Sequence, residues 1–458
     1  MADAREKKFI LLVASLASFL VPYTGSSITV ALPAMAAQFT ADAVTLGWIT
    51  SAYIVSAALF IVPFGRLADI YGRKKIFLLG VLIFSVASLA SALAPTAGIL
   101  IAARFIQGIG GAMLFATLVA IVTQVYGPGE RGWALGITIA TVYAGLSIGP
   151  FLGGILTDNF GWPAIFLINV PIGLITIGLT LWGVKEEWAD AAGERFDLTG
   201  ALVYGGMLFS GIFGMLQLPD PGGLAWLFAA ICAAGAFVWW ERRCTSPLFN
   251  LAIFSGNRTF VYSNIAAMIN YGATFAVAVL LSLYLQYIRE FSAETAGFIL
   301  VAQPVVQTLF SPVAGKLSDR IEPRIVATAG MAITTAGLSF FIFLTPVTPL
   351  YAIVIALMVL GFGYALFSSP NTNAIMSSVD QRYLGIASGM NATMRSLGQV
   401  LSMAIAMFCF SLFIGTVTIT PAVFPALMTS VTISFLIFTC LCILGVGTSY
   451  VRGTIHDS

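Results

Sequence analysis

The sequence predicts an all-α integral membrane protein: two six-helix bundles related by an internal pseudo-repeat, with a two-helix insert between them. Three observations predict it. First, 59% of the 458 residues are hydrophobic and only 9% charged, with a mean hydropathy of +0.98. A domain bathed in water has no way to hide that much apolar surface, whereas lipid can face it. Second, the apolar residues gather into fourteen runs of about the 20 residues that a helix needs to cross a bilayer. Third, Gly65-Arg66-Leu67-Ala68-Asp69 recurs 250 residues later as Gly315-Lys316-Leu317-Ser318-Asp319.

In chain order the runs fall at roughly 9–31, 47–65, 76–94, 98–126, 131–156 and 164–184, then 198–217 and 224–240. Six more follow at roughly 260–287, 295–315, 325–345, 350–376, 386–415 and 427–450. The first run opens behind Arg5, Lys7 and Lys8, as a signal peptide would. It continues past Val30 without a small-residue cleavage site, so it is expected to stay as the first span. Only Pro219–Gly223 separates the seventh and eighth runs, which reads as a helical hairpin. The largest polar stretch, KEEWADAAGERFD at Lys185–Asp197, is expected to be a solvated connector. Each copy of the repeat follows a proline (Pro63, Pro312), ends an apolar run and is trailed by basic residues. The first run maps onto the ninth, so the parse is a six-helix bundle over 1–188, two inserted helices over 189–245 and a second six-helix bundle over 246–458. Substrate sites of repeat-built transporters lie at the interface between such halves.

Charge supports the count. With an inside N-terminus the outer loops receive only Arg289, while Arg104 and Arg395 fall within spans. The rest of the 21 lysines and arginines collect on the inner side, among them Arg66, Arg73, Lys74, Lys75, Arg131, Lys316, Arg320, Arg324 and Arg452. An odd error in the number of spans would scramble that asymmetry, so both termini are expected to be cytoplasmic. A net charge of +2 offers no electrostatic grip on nucleic acid. Five cysteines and the single His456 have no metal-ligand spacing, and Cys440 and Cys442 lie inside an apolar run as small buried thiols do. No G-x-x-x-x-G-K-[ST] loop is present to drive transport by ATP. No nucleophile–base pair stands out, so an enzyme is not expected, nor is a cofactor or metal.

Four features have their own physics. Gly65 and Gly72 bracket a tight inner loop where glycine permits unusual dihedrals. Within it Asp69, near a helix N-terminus, would gain about 0.3–1 kcal/mol from the helix dipole. Such a latch favours one conformation of a rocking protein, while Arg73, Lys74 and Lys75 also set topology. Gly145, Gly149, Pro150, Gly153 and Gly154 put small residues four apart around a proline, which permits close packing and a kink. Arg104, with Gln107 one turn away, and Arg395, flanked by Asn391 and Gln399, are charges inside spans that cost several kcal/mol unless paired or hydrated. Two readings of Arg104 stand open, a functional charge and a structural arginine satisfied by carbonyls.

GRLADIYGRKK at Gly65–Lys75, RFIQGIGGA at Arg104–Ala112 and GLSIGPFLGG at Gly145–Gly154 resemble three signature motifs of the major facilitator superfamily. TVALP at Thr29–Pro33 and GWPAIFLINVPIG at Gly161–Gly173 resemble its fourteen-helix drug:proton antiporter branch, which includes multidrug and tetracycline efflux proteins. The resemblance covers nearly the whole chain. It implies a secondary transporter working by alternating access, export through the Gly145–Gly154 helix, and a role for Arg104 in proton coupling. It also implies that the first and fourth helices of each half line the path. Their polar members are Tyr23, Thr24, Ser27, Arg104, Gln107, Asn264, Asn270, Tyr271, Asn371 and Asn373. Gly315 and Asp319 join Gly65, Asp69, Gly72 and Arg73 as conformational residues. The partners implied are a small molecule, protons and the bilayer, with the chain working as a monomer in the cell membrane.

One departure matters. The branch carries an acid nine positions before the proline of its ALP motif, and here that position is Thr24. All nineteen acids fall in loops, tails or span ends, with Asp158 and Asp69 closest to membrane depth. A titrating carboxylate is the usual carrier for protons and cationic drugs. The expectation is therefore a neutral or anionic substrate, with proton coupling through Asp158 or a proton on the substrate. A metabolite carrier (sugar, amino acid or organic acid) and a non-transporting membrane sensor are the competing functions.

Overall fold

A computed structural model describes residues 4–126, 131–189, 191–218, 221–244, 248, 257–318, 320–379, 384–415 and 417–453. Among them, fourteen helical stretches are long and apolar enough to cross a membrane. The first six spans are α1 (Ala4–Phe39), α2 (Ala43–Tyr71), α3 (Arg73–Ala92), α4 (Ala97–Val125), α5 (Arg131–Phe160) and the pair α6 (Ala164–Leu167) and α7 (Asn169–Gly183). The insert is α8 (Leu198–Leu216) and α9 (Pro221–Glu241). The last six begin with α10 (Arg258–Thr274) and α11 (Val277–Leu283), which form one span, and α12 (Ala293–Leu300) and α13 (Ala302–Ser318), which form the next. They end with α14 (Pro323–Phe341), α15 (Leu350–Ser377), α16 (Leu384–Phe413) and α17 (Phe424–Val451).

The helices overshoot the apolar windows. The 36 residues of α1 make about 54 Å of helix, well beyond the ~30 Å hydrocarbon core. Hydropathy sees only the part that lipid demands, while the hydrogen-bonded backbone continues through Pro33 to Phe39. Where helices start, short polar side chains satisfy the free amides. Asp42 accepts from Thr45 N at 2.8 Å, Asp197 from Gly200 N at 2.8 Å and Asn257 from Phe260 N at 2.9 Å.

Three spans are interrupted along their length. The α6–α7 break at Ile168 precedes Pro171, and the α12–α13 break at Val301 precedes Pro304; each proline lacks the amide that would continue the ladder. The α10–α11 break at Phe275–Ala276 has no proline, and there the Ala276 amide donates to Ser402 Oγ at 2.9 Å. A neighbouring helix thus satisfies the backbone where no water can.

The packing of the two bundles follows the repeat. In the first, α1 lies along α5, α3 along α4 and α2 along α4; in the second, α10 lies along α16, α14 along α15 and α13 along α15. The inserted α8 and α9 pack on each other. From this hairpin α8 reaches α2, with Trp48 and Phe213 rings 6.3 Å apart, and α16, where Tyr204 meets Thr393. Most of α9 faces outward, with only Gly223, Phe237 and Glu241 buried.

The two bundles meet along α2–α16, α5–α12 and α1–α11, at the end of the molecule remote from the chain termini. Ser282 Oγ donates to the Thr29 carbonyl at 2.7 Å and Gln286 Nε2 to the Val30 carbonyl at 3.0 Å. Asp158 Oδ2 accepts from the Glu294 amide at 2.8 Å, and Asp42 bridges Thr418. One apolar core runs through this seam, joining Ile28 and Leu32 to Leu281 and Leu285.

Glycine makes the seam possible. A methyl on Gly145, Gly149 or Gly153 would fall onto Phe19, Ser26 or Ser27 of α1, while one on Gly154 would fall 2.6 Å from Ala293 O and Glu294 Cα in the other bundle. The Gly145–Gly154 stretch therefore serves two contacts, one within its bundle and one across the seam. Pro150 belongs to the second, its carbonyl lying against Gly297.

Candidate functional site

Arg104 is the most buried charge inside a span, with 1% of its surface exposed. Its Nη1 donates to Gln107 Oε1 at 2.5 Å and its Nε to the Ile49 carbonyl at 3.3 Å. The guanidinium lies 4.7 Å from the Tyr53 ring centroid and 5.8 Å from that of Phe166. The network runs on: Gln107 Nε2 donates to Ser88 Oγ at 2.6 Å, Asn169 Nδ2 to the same oxygen at 3.5 Å, and Thr24 Oγ1 to Asn169 Oδ1 at 3.1 Å. It ties α1, α2, α3, α4 and α7 together. Carbonyl, amide and ring faces satisfy the cation, and the geometry favours the structural arginine over a charge facing an open path.

Arg395 has a different setting. It lies mid-span in α16, half-buried, with its guanidinium 5.3 Å from the Tyr271 ring. The Tyr271 and Tyr364 rings meet edge to face, 5.5 Å between centroids at 82°. Arg395 interacts with Tyr271, Tyr364, Tyr143 and Tyr53. Tyr143 comes from α5 of the first bundle and sits beside Ser311 and Ser368 of the second. All of Arg395, Tyr271, Tyr364 and Tyr143 lie near the middle of their spans, yet each keeps part of its surface accessible. Partly exposed side chains from both bundles thus come together at that depth. Tyr53, whose ring lies under the Arg104 guanidinium, also feels the charge of Arg395 and links this cluster to the buried network.

The other expected path residues divide sharply. Tyr271 and Asn373 are half-exposed, but Tyr23, Thr24, Ser27, Gln107, Asn264, Asn270 and Asn371 are buried in helix packing. The list of polar residues on the first and fourth helices therefore mixes lining with packing groups. Asn371 is a packing group: its Nδ2 donates to the Ser263 carbonyl at 3.1 Å and its Oδ1 accepts from Arg452 Nη1 at 2.7 Å. Arg452, expected only to mark the inner face, is 1% exposed, and burial lowers its guanidinium to about 10. Sequence reasoning missed Tyr143, Tyr364 and Arg452. Mid-span depth was the available signal for the tyrosines, and nothing in the sequence gave their facing.

The inner loop also departs from expectation. Asp69 Oδ1 accepts from Arg73 Nε at 2.9 Å and Nη2 at 2.7 Å, at the start of α3. Gly72 has φ +115°, a backbone that other residues rarely adopt, and a side chain there would meet Glu187. The Lys185–Asp197 connector is not free in solvent: Glu187 Oε1 accepts from the Lys74 amide at 2.8 Å and the Arg73 amide donates to the Trp188 carbonyl at 2.9 Å. Trp188 lines an apolar pocket with Ile10, Val13, Phe77, Leu118 and Ile121. Burying that indole outweighs the solvation that the connector's charges alone suggest. In the second copy Gly315 closes on Ser369, and Asp319 lies outside the described residues.

Twin bundles of six spans, a glycine-lined seam between them and a polar cluster at mid-depth are the parts of an alternating-access carrier. The family model of the Major Facilitator Superfamily matches residues 14–254 and 264–454. The chain belongs to this superfamily. It is a multi-pass membrane transporter of small molecules, not an enzyme. It is 30% identical to the riboflavin transporter RibZ of Clostridioides difficile over 403 residues, 87% of each chain. It is also 30% identical to the multidrug resistance protein Stp of Mycobacterium tuberculosis over 407 residues, 88% of this chain and 75% of that one. Among solved structures it is similar to a bacterial homolog of the human lysosomal transporter Spinster in an inward-facing, unoccupied conformation. That likeness has a TM-score of 0.73 at 16% identity over 98% of both chains.

Proposed function

We propose that this transporter exports small amphipathic molecules by proton antiport, working as a monomer with both termini in the cytoplasm. The observation that carries the reading is the partly exposed Arg395–tyrosine cluster at mid-span, contributed by both bundles, with the bundles joined along the end remote from the termini. With the basic residues inside, that joined end is the outer one, and parting it would release cargo outward. The bundles over 1–188 and 246–458 rock about the cluster, and the 189–245 insert rides along the α2–α16 seam. The relative named for multidrug resistance supports efflux.

Asp158 is the proton carrier we favour. Its carboxylate caps the start of α12 across the outer seam, a contact that forms only when the outer end is closed. Protonation removes the negative charge and weakens the contact, which links proton entry to outward opening. The test is cargo flux in proteoliposomes under an imposed pH gradient. Asp158→Asn keeps a carbonyl acceptor but does not titrate, so flux should survive while its dependence on the gradient disappears. Full gradient dependence in that variant rejects Asp158, and gradient-independent flux in the wild type rejects antiport. A second reading, a metabolite carrier, is favoured by the similarity to a riboflavin transporter; net uptake under the same gradient would select it.

A further inference from the structure

The chemistry around Arg395 is one-sided. Its guanidinium supplies charged hydrogen-bond donors, and the groups that Arg395 interacts with are all tyrosines. No carboxylate among the described residues pairs with it; the ion pairs Arg66–Glu194 and Arg73–Asp69 lie at the inner end. The nearest acid along the path, Asp158, is committed to the outer seam. A cation at membrane depth without a counter-charge is costly, and an anion beside it would relieve that cost.

The walls are aromatic as well as cationic. Tyr271 presents its face to Arg395 while Tyr364 stands edge-on to it, and Tyr143 closes from the opposite bundle. A further flat ring packs against such a pair at offset or edge-to-face geometry, a contact that an aliphatic anion does not make.

We propose that the site between the bundles selects planar aromatic anions, the acid group on Arg395 and the ring among Tyr271, Tyr364 and Tyr143. The proposal rests on the transporter reading and names its cargo class. Because the ring touches both bundles, cargo is held by contacts that exist in one relative arrangement and not in another. That differential is what a carrier needs if cargo is to shift its conformation.

Four probes of matched size separate the terms: 2-naphthoate, 2-naphthamide, 2-naphthylmethylammonium and decalin-2-carboxylate. Their affinities for the purified protein are read by titration calorimetry. Naphthoate should bind about tenfold more tightly than the amide, because an ion pair with the guanidinium replaces a hydrogen bond to a neutral carbonyl. It should also bind several-fold more tightly than the saturated acid, and the ammonium should not compete. Arg395→Gln should bring acid and amide to within about twofold, with Arg395→Lys recovering part of the difference. An ammonium that binds as well as the acid, a saturated acid that binds as well as naphthoate, or naphthoate that does not bind at all overturns the proposal, and the wild-type comparison decides it even if a variant fails to fold. Vesicles that move a cationic or aliphatic compound refute the cargo class while leaving the transporter reading intact; vesicles that move nothing under any gradient refute that reading instead.

Discussion

Gly154→Ala tests the outer seam most directly. The added methyl would lie 2.6 Å from the Ala293 carbonyl oxygen and from Glu294 Cα, and 2.9 Å from the Ala293 carbonyl carbon. All three are main-chain atoms of α12 in the opposite bundle. Ordinary carbon contacts begin near 3.5 Å, so about 1 Å must be found. A side chain could rotate away, but a helix backbone has to move as a body. Overpacking of this kind costs about 1–3 kcal/mol. The cost falls on the closed seam and vanishes when the bundles part, so the equilibrium should shift toward outer opening by about 5- to 150-fold. Gly25 is the internal control, because a methyl there meets nothing within 4 Å. The assay is the labelling rate of a reporter cysteine at Ser282, whose hydroxyl bonds across the seam, in a background without the five native cysteines. A membrane-impermeant maleimide is added to the face opposite the termini. Labelling should accelerate at least about fivefold in Gly154→Ala and remain unchanged in Gly25→Ala. Equal rates in the two variants would refute the claim that the glycine exists for close approach between the bundles.

Two other predictions address stability. Arg104→Met leaves the Ile49 carbonyl and Gln107 Oε1 without their donor and removes the cation over Tyr53, so it should destabilise by about 2–4 kcal/mol. A thermal unfolding midpoint equal to wild type in detergent would contradict the sealed network. Gly72→Ala forces a side chain into a left-handed backbone and against Glu187, at a cost of about 1–3 kcal/mol. Because Glu187 holds the connector on the inner loop, the same variant should speed proteolytic cleavage within Lys185–Asp197; unchanged cleavage would mean that the connector is anchored elsewhere.

Arg104 and Arg395 show where sequence reading reached its limit. In the sequence each is a lone cation in an apolar span with a glutamine about one turn away, Gln107 or Gln399. Folded, one is sealed among carbonyl, amide and ring faces, and the other keeps accessible surface beside tyrosines of both bundles. Hydropathy registers the cost of a charge but not the direction in which its helix face is turned. The same limit hid Tyr143 and Tyr364, since tyrosine in a span is unremarkable until two helices of different bundles bring the rings together. Gly72 and the Gly145–Gly154 stretch were legible because glycine at such positions has few purposes other than unusual dihedrals and close approach.

The sequence by itself determined the number of spans, their pseudo-repeat and the packing role of the glycines. Lipid imposes a length and polarity rule on every span, and that rule operates residue by residue along the chain. Only the tertiary structure decided which polar groups are fully packed and which keep accessible surface, along which end the bundles join, and that the Lys185–Asp197 connector folds onto the inner loop. Those outcomes depend on the relative rotation and tilt of helices, set by contacts between residues up to hundreds of positions apart, such as Thr29 with Ser282.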